Sequence, residues 1–377
     1  MMRCLGMLGL LFVLTACGPR IDKDFTQAFV DANRGLEDDA WSAAYSPEMK
    51  LLAVGRESGR LEVWDTRKKD ARITMDAHEL RVQDITFGVD DGIVISRSAS
   101  GNVAFDEIVQ LENGPKVWDA GSGELLVAFG QEHWAPGAMS ATPLPGLYLF
   151  ASYDELYIYD HSKRALVGQP LQLEGDGGIR AIDWDATSGR IVAGTDKGVI
   201  VLLGLHRDER GARLEVLQRH APHGVGPRND ILSVMLLDEG TRLVTVQYSP
   251  EKAQAMAETV PPLYRGQQHE TVRWNLANWQ REHVYSTQLI GVHQASFTRG
   301  EDWLVLAGVA GGTARVEGKV ELVDLRSGVA WRYKANTTHA TAVLLPQTRE
   351  GLVLQNGRAT RIKYLDQSES VPWSAPR

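Results

Sequence analysis

His220 and His223, in the stretch RHAPHG, are three residues apart and could share a metal ion. Pro222 between them forbids a regular helix, and no acidic residue or third histidine stands beside them, so the stretch reads as a solvated loop. GGTARVEGKV, from Gly311, has the look of a phosphate loop but fails in detail. No glycine falls at the required spacing before Gly318-Lys319, and Val320 stands where Ser or Thr would bind magnesium. No nucleophile-elbow pattern occurs, and the acidic residues are scattered through turns. The two cysteines, Cys4 and Cys17, both lie at the start, so the body can hold no disulfide, thiolate zinc site or cysteine nucleophile. No catalytic residue, metal site or cofactor is therefore expected from linear motifs, although an active site can still gather side chains from several distant segments.

The cysteines belong to a different pattern. Arg3 is followed by an apolar run from Leu5 to Ala16, which is the layout of a secretory signal peptide over residues 1–16. The run is shorter than the ~20 residues a bilayer span requires. Its ending, LTAC, resembles the bacterial lipobox, and that resemblance implies that Cys17 is acylated and becomes the mature N-terminus. Several acyl chains bury enough methylene groups for stable anchoring. Gly18 rather than Asp follows the cysteine, which by the same resemblance favours the outer membrane, with the protein facing the periplasm. Residues 17–40 read as a tether.

A net charge of −8 and a pI near 5.7 give no broad pull toward nucleic acid, which is excluded as a partner. With 43% hydrophobic and 23% charged residues, the 377-residue chain has an ordinary globular balance. NTT at 336–338 matches a glycosylation sequon but reads as a polar connector in a bacterial envelope protein.

From Trp41 onward one order of parts returns: a short apolar strand, a turn, a second strand, a turn, and a third strand ending in a residue pair. The first copy ends in GRLEVWDTR and the second in KVWD. The pairs begin at 64, 118, 159, 203, 274, 323 and 365, with gaps of 54, 41, 44, 71, 49 and 42. The short gaps fit a four-stranded unit of ~40–45 residues, and the long ones contain insertions. Such units cannot bury both faces alone, so the expected fold is all-β: a seven-bladed β-propeller of four-stranded antiparallel blades over residues 41–377. The strands expected to close the ring lie within 368–377 or near Phe25 to Val30.

The repeat resembles the Trp-Asp (WD-repeat) propeller family, most clearly at Trp64-Asp65 and Trp118-Asp119. The match is degenerate at Leu203-Gly204, Trp274-Asn275 and Leu365-Asp366, which leaves a quinoprotein-like propeller as the other reading. The family resemblance implies a buried relay from a histidine before the first strand, through a Ser or Thr of the second, to the tryptophan of the third. His78, Ser96 and Trp118 form one such set. His293 and His339 stand in the same place in copies without the tryptophan.

Insertions after the second strand begin at Asn102, Glu251 and Val309. In a propeller all these turns emerge on one face, which also carries the connections between blades. Register with the repeat places Arg56, Arg97, Tyr153, Asp196, Tyr248 and Asn356 there, a composition suited to a protein interface. Residues 206–230 form a fourth irregularity, partly basic, with no assigned place. The expected role is a protein-docking scaffold touching the membrane through its lipid only. The alternatives are a funnel enzyme, or a carbohydrate-binding module using Trp134 and Trp303 as an aromatic platform.

Overall fold

The computed structural model describes residues 38–363 except 69–71, 90–91, 99–113, 130–135, 210, 227–228, 259–267, 286, 299–302, 313–314, 336–340, 346–349 and 356–357. The expected signal peptide, Cys17, most of the expected tether, both segments expected to close the ring, Trp134, Asn356, the sequon, His339 and the pair at 365–366 lie outside the described residues.

The chain is a seven-bladed β-propeller, each blade an antiparallel sheet built from one contiguous stretch. Blade one is β1 (Ala40–Ser46), β2 (Leu51–Arg56), β3 (Arg60–Asp65) and β4 (Arg72–Asp76). Blade two is β5 (Val82–Phe87), β6 (Ile93–Ser98), β7 (Lys116–Asp119) and β8 (Leu125–Ala128). Blade three is β9 (Pro136–Ala141), β10 (Leu147–Ser152), β11 (Glu155–Asp160) and β12 (Ala165–Gln172). Blade four is β13 (Ile179–Trp184), β14 (Arg190–Thr195), β15 (Ile200–Asp208) and β16 (Gly211–His220). Blade five is β17 (Ile231–Leu237), β18 (Arg242–Tyr248), β19 (His269–Asn275) and β20 (Gln280–Tyr285), with a short helix α1 (Pro250–Ala255) after β18. Blade six is β21 (Gly291–Thr298), β22 (Trp303–Gly312), β23 (Arg315–Asp324) and β24 (Ala330–Ala335). Blade seven is β25 (Thr341–Leu345), β26 (Glu350–Gln355) and β27 (Arg358–Lys363), three strands among the described residues.

Burial follows from position in the ring. Second strands are covered by neighbouring blades on both faces, so all six residues of LYLFAS in β10 are buried. Fourth strands face water along one edge, and β12 is mostly exposed. First strands contact one another in sequence from blade one to blade six, β22 contacts β25, and β25 contacts β1, which closes the ring. The closing seam is apolar: Leu52, Val54 and Trp64 of blade one pack with Val343, Leu345 and Leu354 of blade seven.

The Asp of the recurring pair has a local cause. Asp119 Oδ1 accepts the Gly121 and Ser122 amides at 3.0 and 2.7 Å, opening the turn into the fourth strand. Asp65, Asp160, Asn275 and Asp324 each accept the amide two residues on in the same way. Such side-chain turns stop a strand where they form. In blade four Gly204 has no side chain to do so, and β15 runs on to Asp208 and returns as β16. The irregular segment at 206–230 is thus the outer hairpin of blade four followed by the connection to blade five. The third insertion is ordered too: β22 and β23 pair as far as Gly312 and Arg315.

Candidate functional site

Turns between second and third strands interleave with the connections between blades, and this defines one face of the disc. His78 N–H donates to Gly59 O, Ile179 N–H to Tyr153 O, and Tyr248 N–H to Asp230 O. Gly59 is at φ 86°, and a Cβ there would lie 2.0 Å from His78 O, so only glycine permits this approach.

Two sequence-assigned positions meet on that face. Tyr153, at φ 51°, is 50% exposed and lies over Gly178. Asp196 Oδ1 accepts the Gly178 amide at 2.9 Å. One residue further, Lys197 O accepts the Gly226 amide, beside Val225, which is 59% exposed. Tyr153, Asp196, Lys197 and Val225 therefore form a continuous strip over blades three and four and the connection to blade five.

The other positions have different fates. Arg56 is not a surface residue: it is 1% exposed and its Nη2 donates to Glu62 Oε2 at 2.8 Å. The carboxylate inside the blade holds it there, and its Nη1 also donates to the Asp38 carbonyl at 3.3 Å. Glu62 also accepts from Trp64 Nε1 at 3.3 Å and pairs with Arg72. Tyr248 is half-buried, preceding Ser249, which caps α1 by accepting the Lys252 amide. Arg97 points inward, 3.7 Å from Asp84. Trp303 offers no platform, since it is 8% exposed and packs on Trp331 at 5.1 Å between ring centroids.

His78 Nε2 lies 2.8 Å from Ser96 Oγ, and Trp118 Nε1 donates to the same oxygen at 2.9 Å. Blade five holds a longer chain. Trp274 Nε1 donates to Thr245 Oγ1 at 3.0 Å, Thr245 Oγ1 donates to Gln247 Oε1 at 2.8 Å, and Gln247 Nε2 meets His223 Nε2 at 2.9 Å. His220 stacks on Trp279 with 4.3 Å between centroids, and burial lowers its pKa. The two histidines are thus committed to separate partners. Among the described residues no cluster of three His, Cys, Asp or Glu is placed to hold a metal.

Two cavities among the described residues bear on function. The central channel, about 480 Å³, is lined by first strands from all seven blades, including Ser42, Ser140, Ser233 and Ser296. Its ionisable lining groups are Tyr45, Glu48, Asp84 and Arg180. Burial pushes Tyr45 up to about 12. Enclosure also raises the Asp84 carboxyl, although 40% of that side chain still meets channel water.

The second cavity, about 370 Å³, lies between α1 and the connection from blade five to blade six. Lys252 Nζ donates there to Leu289 O at 2.7 Å and His269 O at 3.2 Å. Burial holds this ammonium down at about 8, opposed by Glu321 and Glu270. Beneath it Glu321 is fully buried and accepts from Tyr285 Oη, Thr287 Oγ1, the Gln288 amide and Arg332 Nε. Sequence reasoning missed both carboxylates. Their signal is a lone glutamate two residues before the pair position, in EVWD at Glu62 and ELVD at Glu321.

No protein-family model matches this chain, and comparison with curated proteins finds no match.

Proposed function

We propose that the protein is a lipid-anchored envelope propeller, resembling the WD-repeat kind, that docks a protein partner on the face carrying the second-to-third-strand turns. The observation that carries this reading is the strip formed by Tyr153, Asp196, Lys197 and Val225. Two of its members are exposed apolar side chains, and a backbone hydrogen bond fixes each turn to its neighbour. A rigid aromatic beside polar groups loses little conformational entropy on binding, which is what an interface anchor requires. Acylation at Cys17 would hold the disc at the membrane, with Gly18 favouring the outer one, and so raise the local concentration of whatever it docks.

Photo-crosslinking in living cells tests this, with probes at Tyr153, Lys197 and Val225 and a control at Arg164, exposed on the opposite face. The expected result is one discrete protein adduct common to the three positions and absent at Arg164. Equal labelling at Arg164, or no adduct from the strip, overturns the docking role. Anchoring has a separate readout: Cys17→Ser should abolish labelling by a radioactive fatty acid and release the protein from the membrane fraction.

A further inference from the structure

The first strands share a device absent from the repeat as read in sequence. In blades one to six a β-bulge sits at the start of the first strand, adding Trp41, Gln83, Gly137, Arg180, Leu232 and His293 in turn. Bulges re-aim side chains, and this ring of them surrounds the channel mouth on the face described above. Gln83, Arg180 and Leu232 line the channel. Blade three contributes Gly137, so no side chain from that bulge separates blade two from blade four.

Across that gap two arginines face one site. Arg97 reaches inward from β6 beside Asp84, and Arg180 lies close enough to act on it electrostatically. The Arg97 side chain is 11% exposed, yet its Nε has no hydrogen-bond partner among the described residues, and its single ion pair there is long at 3.7 Å. Arg180 is exposed and has no hydrogen bond or ion pair among them. Asp84 already accepts its neighbouring amide, from Ile85 at 3.0 Å. Arg97 thus faces one carboxylate with its buried Nε unused, and Arg180, in the channel lining, adds a second guanidinium with no partner among the described residues. A buried donor such as Arg97 Nε is rarely left so, and guanidinium forks match the two oxygens of a carboxylate or phosphate.

We propose that the channel mouth binds a small oxyanion, a carboxylate or phosphate group, between Arg97 and Arg180. The site is independent of the protein-docking strip, and the channel behind it offers serine hydroxyls to the rest of the ligand.

The experiment follows the side-chain Nε–H signals of ¹⁵N-arginine-labelled full-length protein during titration with acetate, with inorganic phosphate, and with chloride at matched ionic strength. Saturable movement of the Arg97 and Arg180 signals with acetate or phosphate, but not chloride, is expected, and the saturating anion identifies the class. Arg97→Gln and Arg180→Gln should each weaken that binding about tenfold or more, the usual scale for a charged hydrogen bond. Asp84→Asn, which removes the competing carboxylate, should strengthen it. Movements that track ionic strength alike for all three salts overturn the proposal. So does an affinity unchanged in Arg180→Gln, a substitution at an exposed side chain that serves as the arbiter should Arg97→Gln fail to fold.

Discussion

Glu62 and Glu321 occupy the same place in their blades, two residues before the pair position of the third strand, and both have been drawn inside by an arginine. A carboxylate with no exposed surface is tolerable only while every oxygen is matched. Glu321→Ala would strand Arg332, whose side chain is 7% exposed, and leave Tyr285 and Thr287 without their acceptor. A loss of about 3–5 kcal/mol is expected from urea unfolding. Glu321→Gln, which keeps an acceptor oxygen, should lose less. Lys252 makes the opposite kind of contribution. Its native pKa of about 8 lies below the ordinary 10.5, so between those values the unfolded chain binds more protons and stability rises with pH. From pH 7.5 to 10 the wild type should gain on the order of 2 kcal/mol over Lys252→Met, read as diverging urea midpoints. Parallel pH profiles would show that the amine stays charged in the fold.

At the scale of the element, the turn at Gly59 couples two blades. An added Cβ would meet His78 O at 2.0 Å, and φ is positive besides, so Gly59→Ala must push the blade connection away. The cost should be about 2 kcal/mol or more from left-handed strain and the clash together. Because His78 rests on Ser96, which also receives Trp118, the fluorescence of that tryptophan should change in the variant while the fold persists. Strand order and turn chemistry were legible in sequence at this scale because they are local: Asp119 stops its strand through its own neighbours, and Gly204 fails to. What was illegible depends on side chains meeting across blades. Register put Arg56 on the rim because its strand ends there, yet a glutamate on the adjacent strand pulled it inside. Gln247 and His223, far apart in the chain, joined the blade-five chain for the same reason. The bulges that bring Arg180 to the channel leave no composition signal, since six different residues fill them.

For the whole molecule the question is what makes seven similar sheets one cooperative body. Each blade is contiguous, so no strand of one blade comes from another among the described residues, and the ring depends on packing between blades. The seam between blades seven and one is where that dependence can be tested. Leu345 is fully buried there, packed among Leu52, Val54, Trp64 and Leu354. Leu304, equally buried, packs instead in the cluster that joins blades five and six. Truncating either to alanine removes comparable surface and leaves a comparable hole, at about 2–5 kcal/mol each. If the apolar seam locks the ring, both variants shift one shared unfolding transition by similar amounts, with an unchanged denaturant slope. If the ring were held mainly elsewhere, Leu345→Ala would instead separate an early, shallow transition of the first and last blades from a late one near the wild-type midpoint. The seam is as apolar and as deeply buried as the interior of the ring, so the expected outcome is the single shared transition. That result would make the disc rigid enough to hold both the Tyr153 strip and the Arg97–Arg180 mouth in fixed relation.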